Sequence, residues 1–479
     1  MREKTNSGLL VQSIKRLWSK SDKYLLSILF LALVIRVALA IPVFVDMSRT
    51  QACYDAVSYD LLARHTLEGK GFSVSFEAPY EPNSTITPGY PLFLSAVYIF
   101  AGYSRLAVIL IQIIINLALL VVIYSFIKDR FGVKAAFWGG LFFVLDINMV
   151  IFLSQLTTET LFTMVLVALL LLLIRFVEDK RIVTSIWSGV LLGLATLIRP
   201  IALYFSVPIL AFFFLTKINW QKLAGWVIIL VVQIACITPW VIRNKAVFGE
   251  AFYTTISDVN LLQYQVAPLK AALEHKSRTQ AQKELEDEAV RGKSWKNEAQ
   301  YYRLWSYPSK RYIISHPIPY IGTLILGGVV TLIYPLPMSE TGIYFKGKEN
   351  LPAPGIAQNV MLELMKGRFW NAIRIAWRER LSYFGAALFS LFILYSIFHM
   401  VKLAFGLKAY IIKGMRDPAM LLFLITGLYF LGLLGFGISP RMRVPLEPLL
   451  TALAGIGVAS RRIKKVKTDS KQHGDSIAG

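Results

Sequence analysis

The residues with chemistry to offer gather first in one polar interval, TQACYDAVSYDLLARHTLEGKGF with the following STITPGYPLFLSAVYIFAG, inside residues 50–104. With Asp46 just upstream, it holds six acids (Asp46, Asp55, Asp60, Glu68, Glu77, Glu81) against three basic residues, in a chain of net charge +22. Asp55 stands at its centre, Tyr59 and Asp60 follow at helical spacing, and Pro-Gly-Tyr-Pro closes it. An acid held just outside a bilayer suits proton abstraction from the acceptor of a lipid-linked substrate. Its alternative reading is a helix-capping or merely solvated carboxylate. Tyr59 and Tyr90 are weaker candidates to touch a sugar or acceptor. Glu159 opens an apolar run at TTETLF, where Thr157 or Thr158 could cap a helix and an early glutamate would complement its dipole. Two carboxylates from separate loops would let one act as general base while the other positions an acceptor or a metal. A divalent metal ion is therefore left open, and no other cofactor is indicated.

Arg199, Arg243, Arg441 and Arg443 each stand at what the topology makes the outer end of an apolar segment. Arginines there run against the positive-inside tendency. A lipid phosphate supplies a reason, because a guanidinium fork matches phosphate oxygens. Snorkelling to headgroups is the alternative for each arginine singly; four at one face favour the phosphate. Arg36 and Asp146, both within apolar runs, are expected to form a structural pair.

The elements that must position these groups are membrane helices. The chain has 479 residues, 56% hydrophobic and 17% charged, with several apolar runs near the ~20 residues a bilayer crossing requires. The basic residues flank apolar segments, so topology explains the charge and nucleic acid is not an expected partner. Cys53 and Cys236 are too far apart in sequence to indicate a disulfide framework or metal cluster. No phosphate-binding glycine loop, HExxH or nucleotide-binding domain is apparent, which disfavours a soluble nucleotide-sugar donor. The triplet Asn83-Ser84-Thr85 is a formal glycosylation sequon.

In chain order, a cytoplasmic N-terminus (1–24) leads into a catalytic transmembrane module (25–244) with the outer loop 46–104. A region of surface and re-entrant helices follows (245–381), then C-terminal membrane helices (382–460) and a basic cytoplasmic tail (461–479). Residues 89–102 are too short to cross and read as an interfacial or re-entrant helix. The run 317–337, bounded by prolines, is expected to enter the outer leaflet without crossing, leaving 338–381 as an outer lid. That arrangement keeps both KLAFGLKAYIIKGMRD and the tail inside. The expectation is an all-α polytopic bundle of about ten crossings with both termini cytoplasmic.

Five stretches in this order resemble the GT-C glycosyltransferases. They are D-A-x-x-Y at 55–59 with T-P-G-Y-P-L-F-L at 87–94, L-T-T-E-T-L-F at 156–162, G-L-A-T-L-I-R-P at 193–200, T-P-W-V-I-R-N-x-x-x-F-G at 238–249 and R-M-R-V-P-L-E-P at 441–448. The chain is similar to the bacterial branch of family 39, with the dolichyl-phosphate-mannose protein mannosyltransferases and the lipid A aminoarabinose transferase. The resemblance implies a multi-pass cell-membrane enzyme acting at the periplasmic or extracellular face. It implies a sugar moved from a polyprenyl-phosphate carrier to a glycan, lipid or protein acceptor, by an inverting mechanism. Asp55 would be the counterpart of the first-loop base, and Glu159 of the second outer acid. Ala56 departs from the paired first-loop acids of the protein mannosyltransferases, which puts a protein acceptor in doubt. The rival readings are a polytopic lipid or sugar transporter, also built with intramembrane charges, and a non-catalytic assembly partner in which Asp55 is dispensable. Against the transporter, these charges gather at one face and not at a midplane site between broken repeats.

Overall fold

Uninterrupted apolar runs with no water to satisfy their backbone must close their hydrogen bonds internally. The computed structural model accordingly contains helices and no named strand among the described residues, which are 23–51, 53–336, 341–342, 344, 356–365, 367–415 and 417–460. Residues 1–22 of the N-terminal segment, the basic tail 461–479 and part of the expected 338–381 lid lie outside the described residues. This is an all-α integral membrane protein. Six helices are long and apolar enough to span: Lys23–Val45, Arg105–Phe131, Glu159–Asp179, Trp220–Phe248, Phe389–Lys413 and Pro440–Ala459. Two bent pairs, Val133–Val144 with Ile147–Leu153 and Glu298–Ser315 with Pro317–Ile333, bring the number to eight at most, if each pair is one span. The sequence suggested about ten; Ile182–Ile198, Pro200–Leu215 and Pro418–Gly432 are apolar but fall short in length.

Side chains set several helix starts. Ser104 accepts from the Ala107 amide, Asn219 from Lys222, and Asp417 from Ala419 and Met420. Glu447–Ala459 runs through the middle of the bundle with most of its residues buried. It packs where backbones can approach closely: a Cβ on Gly455 would lie 2.4 Å from the Ala135 carbonyl oxygen, and one on Gly457 1.9 Å from that of Phe405.

The expected Arg36–Asp146 pair does not form. Arg36 donates to Asn116 Oδ1 at 2.9 Å and to the carbonyls of Val144 and Phe143 at 3.1 and 3.2 Å. The reason is the 54° bend after Val144, which leaves terminal carbonyls without helical partners. Asp146 instead caps the next helix, accepting from the Met149 amide, and receives Tyr395 Oη at 3.0 Å and Lys402 Nζ.

One end of the bundle is marked by Arg130, which bridges Glu178 (2.8 Å) and Asp417 (3.0 Å). The 46–104 loop lies at the other. There Gly89–Ala101 forms a short helix that buries Tyr90, Leu94, Val97 and Tyr98 beneath Tyr54–Leu67. Residues 256–315, where the sequence suggested a surface helix or two, fold into several short helices around Leu262, Val266, Leu285, Ala289 and Trp305. They dock on the loop through Ser84, whose amide and hydroxyl donate to Glu298 Oε2 at 2.9 and 3.0 Å. The sequon asparagine is occupied: Asn83 is buried, donates to Thr85 Oγ1 and accepts from the Ile86 amide.

Pro317–Ile333 leaves this cap through a 101° bend. At 17 residues it is about 26 Å long, short of a ~30 Å hydrocarbon core. Its end lies against Arg443, and Tyr344, a few residues on, accepts from Arg49 Nη1 at 2.9 Å, back beside the first loop.

Candidate active site

Asp55 sits in the first turn of Tyr54–Leu67, Glu159 in the first residue of Glu159–Asp179, Arg199 where Ile182–Ile198 ends before Pro200, and Arg441 in the short Pro440–Arg443 helix. Four separate elements deliver them to one place. Arg441 donates from Nη1 to Asp55 Oδ2 at 2.8 Å and from Nε to Glu159 Oε1 at 2.6 Å. Arg199 Nη1 donates to the same Glu159 oxygen at 3.0 Å, and its Nη2 reaches only the Met442 thioether, at 3.2 Å.

The two acids are not equivalent. The Glu159 side chain is fully buried, whereas that of Asp55 is 50% exposed. Glu159 Oε2 has no hydrogen-bond partner among the described residues. Tyr59, one turn beyond Asp55, lies edge-on to Tyr90 with ring centroids 5.2 Å apart. Burial, and then the Asp55 charge, push its phenol well above the usual range, so it stays neutral and can donate. Asp60, by contrast, is consumed structurally: it accepts from Tyr98 Oη (2.7 Å), Arg64 Nε (3.0 Å), Arg105 Nη2 (2.8 Å) and Gln51 Nε2 (3.1 Å).

Arg243 and Arg443 stand apart from this group. Arg243 lies over the rings of Trp240, Phe248 and Phe72 at 4.8, 5.5 and 5.6 Å, and its Nη1 donates to Asn244 Oδ1. Phe72 and Trp240 also line a largely apolar groove of about 480 Å³, with Pro88, Leu92, Leu197 and Cys236. Arg443 is wholly buried, its Nε on Glu447 Oε1 (2.7 Å) and its other nitrogens on the carbonyls of Thr331, Leu332, Tyr334 and Pro335. Nε, Nη1 and one Nη2 hydrogen are thus taken up by protein groups, and Arg443 does not join Asp55, Glu159, Arg199 and Arg441.

Beneath the site is a network that the sequence reading missed. Lys402 donates to Asp146 and to Glu447 Oε2 (2.6 Å), with no exposure on any of the three side chains. Asn148 Nδ2 donates to the Pro440 carbonyl at 3.0 Å. In the sequence Lys402 reads as the start of a cytoplasmic flank, although a lysine inside an apolar run is itself a signal. The two acids at the upper site do not share a metal position, because Arg441 lies between them. Among the described residues no three His, Cys, Asp or Glu side chains gather as ligands.

Residues 84–242 match the family model described as dolichyl-phosphate-mannose-protein mannosyltransferase. No curated protein matches the chain significantly. Among solved structures, the Archaeoglobus fulgidus oligosaccharyltransferase AglB, in complex with an inhibitory peptide and a dolichol-phosphate, is similar at 14% identity and a TM-score of 0.47, over 92% of this chain and 50% of that one. The apo form of the oligosaccharyltransferase from that organism is similar at 15% identity and a TM-score of 0.48, over 91% and 50%. The chain spans half the length of those structures. Two of the five motif stretches, at 156–162 and 193–200, fall wholly inside the family match, together with T-P-G-Y-P-L-F-L at 87–94, so over this third of the chain the family similarity agrees with the resemblance to the GT-C glycosyltransferases.

Proposed function

We propose that the protein transfers a sugar from a polyprenyl-phosphate-linked donor to a hydroxyl of a lipid, glycan or protein acceptor, at the outer face of the cell membrane. The observation that carries this reading is Arg441 bridging Asp55 and Glu159, with Arg199 alongside. Among the described residues Arg441 Nη2 has no hydrogen-bond partner, and Arg199 Nη2 has only a thioether, a weak acceptor. Two guanidinium nitrogens are thus available to two phosphate oxygens. The apolar groove lined by Pro88 and Leu197 adjoins residues of the same elements that carry Tyr90 and Arg199, and suits an isoprenoid chain.

In the reaction, the acceptor oxygen forms a bond to the anomeric carbon while Asp55 takes its proton. The anomeric carbon–oxygen bond breaks, and its electron pair leaves on the phosphate of the carrier. Attack opposite the leaving group inverts the centre. Asp55 is the base because it is the acid open to solvent, within reach of an incoming hydroxyl. Glu159 holds the two arginines that stabilise charge growing on the leaving phosphate.

Mass spectrometry of a strain lacking the protein tests the assignment. A polyprenyl-phosphate sugar should accumulate and one surface glycan lose a residue, with rescue by the wild-type chain and not by Asp55→Asn. Unchanged lipids and glycans would sink the reading, and rescue by the Asn variant would favour a transporter or an assembly partner.

A further inference from the structure

The quartet at the site is electrically closed: two carboxylates, two guanidinium groups, each in contact with another. An arriving phosphate finds the two Nη2 nitrogens open but no unpaired cation, and so competes with a carboxylate for the guanidinium charge. The two carboxylates differ in what displacement costs. Glu159 is fully buried and held by two arginines, so removing both would strand a charge in a dry site. Asp55 is half-exposed and held by one N–H, and water can replace that partner. Arg441 is also built to move in one direction only. Its Nε anchors on Glu159, while the Nη1–Nη2 edge carries the contact to Asp55 and an unpartnered nitrogen.

We propose that Arg441 is a donor-operated latch on Asp55. In the empty site it holds the carboxylate. Arrival of the carrier phosphate draws the Nη1–Nη2 edge across, Nε staying on Glu159 as the pivot, and this frees Asp55 to accept a proton. The base then becomes competent only when a donor is in place, and neither water nor acceptor is activated prematurely. The inference rests on the donor reading above.

A double-mutant cycle on lipid affinity tests it, with undecaprenyl phosphate as probe and the full chain in nanodiscs. Breaking the pair is part of the cost of binding, so Asp55→Asn should bind the probe about fivefold more tightly than wild type, the order supported by a partly exposed ion pair. In an Arg441→Gln background the same change should alter affinity by less than about twofold. An equal gain in both backgrounds would mean plain repulsion between Asp55 and phosphate and would overturn the latch. So would unchanged or weaker binding by Asp55→Asn. A second measurement needs no arginine variant: carbodiimide labelling of Asp55 in the wild-type chain, read by peptide mass spectrometry. Labelling should rise with undecaprenyl phosphate and not with undecaprenol, which has the same tail without the phosphate; no rise overturns the proposal. If neither wild type nor Asp55→Asn binds the phosphate lipid, the donor reading falls and takes the latch with it. Binding without coupling sinks the latch alone.

Discussion

Arg441 and Arg443 stand two positions apart on one short helix, yet their guanidinium groups serve opposite networks. Arg441 reaches Asp55 and Glu159, while Arg443 grips Glu447 and the carbonyls that end Pro317–Ile333. The short helix Pro440–Arg443 is thereby clamped on one side and presents a cation on the other. Anything that loosens the clamp should be felt at the cation.

Asp55 and Glu159 should separate cleanly under mutation. Asp55→Asn is expected to lower turnover by at least about 100-fold, the scale of a lost general base, with an unchanged melting temperature. Glu159→Gln removes the shared partner of Arg199 and Arg441 from a buried position. It should destabilise by about 3–5 kcal/mol. Turnover and thermal unfolding of both purified variants decide the matter. Near-normal turnover of Asp55→Asn would move the base to Glu159.

Arg441→Ala should raise the donor KM strongly, and Arg441→Lys should recover it only in part, because a lysine keeps the charge and loses the fork. Arg243→Ala should act differently, by loosening the Phe72 and Trp240 walls of the groove. It is expected to weaken binding of the lipid tail, with undecaprenol affected as much as undecaprenyl phosphate. A loss confined to the phosphate lipid would restore Arg243 as a direct phosphate ligand.

The buried network gives a stability test. Lys402→Met leaves Asp146 and Glu447 without their shared cation. A loss of about 3–5 kcal/mol is expected, seen as a lower melting temperature in detergent. Adding Asp146→Leu should recover much of it, since Arg443 still pairs with Glu447. Additive losses in the double variant would show that the two residues do not act as a unit.

Topology can be read with single cysteines in a background without Cys53 and Cys236. Positions Glu77 and Tyr307, both exposed on the loop and cap, should label with a membrane-impermeant reagent in intact cells. Lys180, at the bundle end where Arg130 meets Glu178 and Asp417, should label only after permeabilisation. Ser339 and Ser470 lie outside the described residues; the first is expected to label from outside and the second from inside. The reverse pattern would overturn the outer-face placement of the site.

What the sequence by itself determined is the fold class of the protein and which two acids, Asp55 and Glu159, meet around Arg441. Apolar runs compel helices, because backbone groups in lipid have no other partners. Asp55 stands out as an acid in a basic chain, and Glu159 and Arg199 stand out as charges at the ends of apolar runs. Those signals are local, so one dimension carries them. The tertiary structure alone decided partnership. It separated Arg441 from Arg443, although both lie in one motif, and it gave Asp146 to Lys402 instead of Arg36. It also turned Asp60 into a structural hub while leaving Asp55 half-exposed. The physical reason is that a charge in a dry bundle takes whichever opposite charge or unpaired carbonyl the packing brings within reach. That choice is set by helix bends and crossings between residues as much as 386 positions apart, and composition and spacing along the chain do not encode it.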